Sequence, residues 1–153
     1  QAQQITAYLT DSPNGDYRLY LPHGYSLMAE EPGHDMVLSE QSERAMMRLS
    51  VHPASEAVWA QLLQQMSAGL AAGGSDGASV AVTPVLDTQA LPQPVQRSAM
   101  MRATHAAGDV TGVVFEHHGL MVRLTIWDDQ AQDLGDLLLR IGATVQPVTK
   151  AAS

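Results

Sequence analysis

The chain contains no cysteine, which removes thiol nucleophiles, disulfide bridges and any zinc site built on thiolates. Lysine is almost as scarce. Lys150 is the sole example, and eight Lys and Arg stand against sixteen Asp and Glu, a formal charge of -8. Without a basic stripe the surface cannot neutralise a run of phosphates, so nucleic acid is not expected as a partner. No apolar run approaches the ~18 residues that a membrane-crossing helix needs. Contact with a membrane is therefore expected only through an anchor absent from these residues. Aromatics make up 5% of the chain, so the core must rest on Val, Leu, Ile, Ala and the eight methionines, whose flexible thioethers fill irregular gaps. Several catalytic signatures are missing as well: G-x-S-x-G, H-E-x-x-H and a Gly-rich loop ahead of a helix.

What is present reads as one domain over residues 1–153, long enough to bury roughly 70% of the surface its unfolded form exposes. Residues 1–15 are expected as a flexible start or a short N-terminal strand, and 146–153 as a tail. The first residues, QAQQITAYLT, include neither an initiator methionine nor a leader. We expect a mature or trimmed domain that has lost a leader or anchor, hence one secreted or membrane-anchored.

Short β-rich runs at 17–22 and 25–31 flank the turn Pro22-His23-Gly24, and 30–35 reads as another turn before a strand at 36–40. Over 44–52 Ala45, Met47, Leu49 and Val51 alternate with Met46, Arg48, Ser50 and His52, the period of a strand with one buried side. The period then changes. Ser55 is a candidate N-cap, and Val58, Trp59, Leu62, Leu63, Met66 and Leu70 form an amphipathic helical stripe that Gly73-Gly74 ends. A strand at 79–87 carries Pro84, which suits a sheet edge. Three strands, 95–105, 110–117 and 120–127, then form a meander. Asp128 and Asp129 are placed to cap a second helix bearing Leu134, Leu137, Leu138 and Ile141, with Gly142 closing it. The fold class expected is α+β, an antiparallel sheet of about six strands packed with two helices.

Candidate sites follow from where these elements put reactive side chains. Glu116-His117-His118 looks at first like a metal or acid–base cluster. On a strand, however, His117 shares a side with Val113 and Phe115, while His118-Gly119 makes the reversal, so the imidazoles are expected as solvated turn residues rather than chelators. His23 and His34 are expected in exposed turns, and His52 at a strand end shielding the first helix. Met46-Met47 and Met100-Met101 diverge on strands, which argues against copper. Arg48, Arg102 and Arg123 each sit mid-strand opposite that strand's most apolar row. They could line one side of the sheet as a face for an anionic ligand or a partner, or pair with Glu116 and nearby carboxylates; ion pairing is the plainer reading. The candidate face is thus Arg48, Arg102, Arg123, Glu116 and His117, with no catalytic residue, metal or cofactor assigned. The six histidines add a pH expectation. Between about pH 7 and 5 their protonation should carry the formal charge from -8 towards -2.

Two phrases, YRLYLPHGYSLMAEE (17–31) and FEHHGLMVRLTIWDDQAQDLGDLLLRIGATV (115–145), resemble the PsbP-like families. In the first, Leu21-Pro22 ends a strand before Gly24 and an aromatic, Tyr25, where Trp is common. In the second, a hairpin with a polar-polar-Gly turn leads through an alternating strand to a final helix ending in Ala143-Thr144. The resemblance implies an antiparallel sheet packed between helices and a non-catalytic role. Its members include an extrinsic photosystem subunit, a Ran-binding import factor and many secreted or lipid-anchored bacterial domains. The expected function is a non-enzymatic extracytoplasmic binding or scaffold domain whose partner is another protein. The alternatives are a small-molecule or metal binder using the arginine face or the histidine turns, and a hydrolase with a dispersed site.

Overall fold

The computed structural model describes residues 7–31, 34–40, 45–71, 82–84, 97–105, 108–128 and 135–148. Ten strands and two helices are found there. They are β1 (Ala7–Asp11), β2 (Tyr17–Pro22), β3 (Tyr25–Glu31), β4 (His34–Ser39), β5 (Ala45–Pro53), α1 (Glu56–Ala71), β6 (Val82–Pro84), β7 (Arg97–His105), β8 (Gly108–His117), β9 (Leu120–Asp128), α2 (Gly135–Ala143) and β10 (Gln146–Pro147). The α+β class holds. The strands divide between two antiparallel sheets, one ordered β1-β2-β10 and the other β3-β4-β5-β9-β8-β7-β6. About six strands were expected in the sheet and the large one has seven. β6 falls within the strand expected at 79–87, β1 is the short N-terminal strand, and β10 lies where a tail was expected. β4 starts at His34, two residues before the strand expected at 36–40, because its first residues read as turn. His34 is therefore a strand residue, and only residues 32–33 separate β3 from β4.

The large sheet is covered on both sides. On one, Met47, Leu49, Val113, Phe115, Val122, Leu124 and Ile126 pack against Leu138 and Ile141 of α2 and against Tyr17, Leu19 and Leu21 of β2. On the other, Val114, Met121 and Ala103 meet Leu62, Met66 and Leu70 of α1. Strand periodicity explains the division: β8 and β9 send consecutive residues to opposite layers, and both layers are apolar. Ser55 caps α1 as its position suggested, its Oγ accepting from Val58 N at 3.1 Å. β6 lies at the sheet edge, where Pro84 withholds no ladder donor that an outer neighbour would need.

Two readings of the second helix need correction. Asp128 ends β9 instead of capping α2, and Asp129 with residues 130–134 lies outside the described residues. Gly142 sits within α2, not beyond its end. A Cβ there would press into the Leu124 side chain, so the small residue is required by the approach of helix to sheet. Thr144 then ties the helix to β2: its hydroxyl accepts from Tyr20 N at 2.9 Å and donates to Ile141 O at 2.7 Å.

One buried polar link spans the two sheets. Tyr17 Oη donates to Asp35 Oδ2 at 2.6 Å, and both residues are buried. Burial first, and the adjacent carboxylate second, push the Tyr17 phenol far above its ordinary range. Tyr17→Phe keeps the ring packing but leaves Asp35 without this donor. The expected loss is about 1–3 kcal/mol, read as a lower urea midpoint with an unchanged slope; an unaltered midpoint would show the link to be dispensable.

Candidate functional site

The register of the central strands fixes which side chains meet. Ser50 stands opposite Arg123 and Arg48 opposite Thr125 across β5 and β9. Arg123 is opposite Val114 on β8, and Val114 opposite Ala99 on β7. Arg48, Ser50, His52, Arg123 and Thr125 therefore share the α1 side of the sheet. α1 lies over β7, β8 and β9, and the face continues past it across β5, β4 and β3.

Arg102 does not join them. It stands opposite Thr111, whose hydroxyl lies 3.4 Å from its Nε, in the same alternate set as Met100 and Val113 on the other side of the sheet. The three-arginine face is thus two arginines. On β7, Met100 and Met101 both pack against apolar clusters, one in each layer, so the apolar pattern could not say which way Arg102 faced.

The two that converge differ in their partners. Arg48 Nε lies 2.6 Å from Glu30 Oε1, and Nη2 donates to Oε2 at 2.8 Å. Its guanidinium also stands 5.6 Å from the centroid of the Trp127 ring, a cation–π distance. A bulge between Ala29 and Glu31 interrupts the β3 register at Glu30. Arg123 is half-buried and pairs with no carboxylate among the described residues. Its Nη2 reaches Gln65 O at a long 3.4 Å, while its buried Nε meets no acceptor among the described residues. Burial, and secondarily the positive charge of Arg48, lower the Arg123 pKa from its usual value. His52, one step along β5, is likewise held below the ordinary imidazole value by burial, then by His34 and Arg123. It therefore resists the protonation that composition alone suggested for every histidine.

Glu116 has a different partner from the arginines singled out in the sequence. Arg97 Nε donates to Glu116 Oε1 at 3.0 Å and Nη1 to Glu56 Oε2 at 3.2 Å, with the guanidinium 4.6 Å from the Trp59 ring centroid. This cluster fastens the start of α1 to β7 and β8. Arg97, Glu56, Glu30 and Trp127 were missed because each becomes informative only through cross-strand or helix–sheet pairing. In the chain they are separated by tens of residues, and no local spacing marks them.

His117 is not a solvated turn residue. It is 8% exposed and continues the β8 alternation of Val113 and Phe115, as its strand position implied. His118 takes a positive φ of 53° ahead of Gly119 at 76°, and this left-handed step brings the two imidazole centroids to 3.8 Å. The reversal at His118-Gly119 stands, but the rings touch where divergence was expected, because alternation ends at the turn. Among the described residues no group of three His, Asp or Glu side chains is disposed to hold a metal ion. No helix there is long and apolar enough to cross a membrane.

No family model matches this chain, and no curated protein matches it. Solved structures do share its architecture. The Ran-binding protein Mog1p of Saccharomyces cerevisiae superposes with a TM-score of 0.55 at 6% identity, covering 94% of this chain and 96% of Mog1p. A point variant of Mog1 gives 0.56 at 5% identity over 94% and 97% of the two chains. A Bacteroides thetaiotaomicron protein gives 0.51 at 8% identity over 98% of this chain, which spans 51% of that one. At such identities the likeness is one of fold: this chain has the α+β architecture of Mog1, in line with the PsbP-like resemblance.

Proposed function

We propose that this chain is a non-enzymatic binding domain that works outside the cytoplasm and engages another protein. The observation that carries the reading is the β1–β2 ribbon. Tyr8, Leu9 and Tyr20 are 57%, 47% and 41% exposed, and Leu9 and Tyr20 stand directly opposite each other across the two strands. Among the described residues β1 is also an edge of its sheet, with one side of its backbone unpaired by any described strand. An aromatic and aliphatic pair beside an unpaired edge is the composition of a protein-recognition surface. Isolated exposed apolar residues would carry no such meaning. The sharing of this fold with a Ran-binding protein supports the reading in kind without specifying the partner. The extracytoplasmic part rests on the PsbP-like resemblance of residues 17–31 and 115–145, a resemblance to families that include many secreted or lipid-anchored bacterial domains.

The test places a photo-crosslinking amino acid at position 9 in the full-length gene product in cells, with a control at Gln64 on exposed α1 surface. A discrete adduct is expected from position 9, absent at the control and at least tenfold weaker when Tyr20→Lys charges the ribbon. Equal labelling at both positions would overturn the protein-binding reading. An alkaline phosphatase fusion to the same gene product should be active only if exported, and an inactive fusion would overturn the extracytoplasmic one.

A further inference from the structure

The α1-side face of β5 and β9 gathers cations with too few anions to match. Arg48 and Arg123 lie there on adjacent strands, with His52 two residues along β5 from Ser50, the residue opposite Arg123. Glu30 is the one carboxylate that the described residues bring to them, and it is engaged by Arg48. Other charged groups nearby are accounted for. Glu116, in the cross-strand row of Met121 and His52, is taken by Arg97, and Glu56 at the start of α1 is taken by the same arginine. A molecule of formal charge -8 thus carries a positive island at the border between α1 and the open sheet. Folding has not relieved it: Arg123 keeps a buried Nε with no acceptor among the described residues. Unpaired buried donors on a charged group are costly to leave in place without use.

We infer that Arg123, assisted by Arg48 and His52, forms a binding site for a small oxyanion, a carboxylate or phosphate group. The planar guanidinium of Arg123 supplies the fork that such groups accept bidentately. Arg48, steadied by Glu30 and Trp127, supplies long-range attraction. His52 supplies a proton-dependent third donor. The site is independent of the β1–β2 ribbon, which belongs to the other sheet, so either can fail while the other stands.

Protonation couples to binding with a definite sign. In the free protein, burial first, and the neighbouring His34 and Arg123 second, hold the His52 pKa below its ordinary value. The unfolded chain then binds the proton more readily, and His52 lowers stability as pH falls through that range. An oxyanion beside His52 reverses the local field, raises its pKa and is held more tightly as pH falls.

Inorganic sulfate is the first probe because its charge is constant between pH 7.5 and 5.5, and succinate is the second; chloride at matched ionic strength is the control. The His52 ring proton is followed by NMR with and without each probe. Saturating sulfate is expected to move the His52 titration upward, and sulfate affinity to rise about tenfold between pH 7.5 and 5.5. Arg123→Gln should lose at least tenfold in affinity without loss of thermal stability in chloride, since it removes a half-buried charge beside Arg48. His52→Gln should retain binding at pH 7.5 and lose the pH dependence. A stronger response to succinate than to sulfate assigns the site to carboxylates, and the converse to phosphate-type groups. If neither probe shifts His52 in the unaltered protein, the inference is wrong, whatever the variants do. Equal responses of Arg123→Gln and the unaltered protein would also overturn it.

Discussion

Replacing Phe115 with alanine is expected to lower stability by about 3–5 kcal/mol, enough to remove a large part of the 5–15 kcal/mol that typically holds a domain folded. Phe115 is the chain's single phenylalanine and is fully buried. It stands on the central meander, paired with Ser98 on one side and Val122 on the other. Its ring belongs to the layer where the large sheet meets β2 and α2, so the hole left by truncation is walled by three elements that cannot all close on it. Few other aromatic rings share this core, since Trp59 and Trp127 serve cation–π contacts on the opposite face. Chemical denaturation should show the urea midpoint falling steeply while the slope is retained. Met28→Ala, at a site 52% exposed, should change stability by less than about 0.5 kcal/mol. Similar losses at the two positions would mean that the layer around Phe115 is not the main core.

How much of this was legible beforehand depends on the range of the interactions concerned. Alternation over 44–52 and 110–127 and the stripe from Val58 to Leu70 were readable because a strand or helix displays its period within a few residues. Ser55 and the His118-Gly119 reversal were readable for the same reason. The sandwich itself was harder to see. Tyr17, Leu19 and Leu21 carry an alternation too short to announce that they form a second sheet across α2. His34 was misplaced because Pro32-Gly33 was taken to extend the turn into residues that pair with β3. The candidate face fared in the same way: Arg48 and Arg123 met because each strand had one clearly apolar row, whereas Arg102 turned away on a strand whose methionines serve both layers. The pairing of Glu116 with Arg97 depends on register across β7 and β8, which no single segment encodes.

Gly142 offers the sharpest test of packing against local propensity, because the two predict opposite signs. On helix propensity alone, Gly142→Ala inside α2 should stabilise by up to about 1 kcal/mol. The structure opposes this. The new Cβ would stand inside contact distance of Leu124 Cδ1 and 2.9 Å from Cδ2, and Leu124 is wholly buried in the layer it shares with Leu138 and Ile141. Overpacking of this kind costs about 1–3 kcal/mol, so the net expected effect of Gly142→Ala is a loss. Leu124→Ala alone should cost about 2–5 kcal/mol by leaving a cavity under the helix. In that background the methyl at position 142 enters the space Leu124 vacated, and the Gly-to-Ala change should become neutral or stabilising. The two substitutions should therefore be coupled by about 1–3 kcal/mol in a double-mutant cycle measured by urea unfolding. Additive effects would mean that α2 lifts away from β9 to accommodate the methyl. Gly142 would then be explained by neither the approach of the helix to Leu124 nor the positive φ that marks Gly15, Gly24 and Gly119.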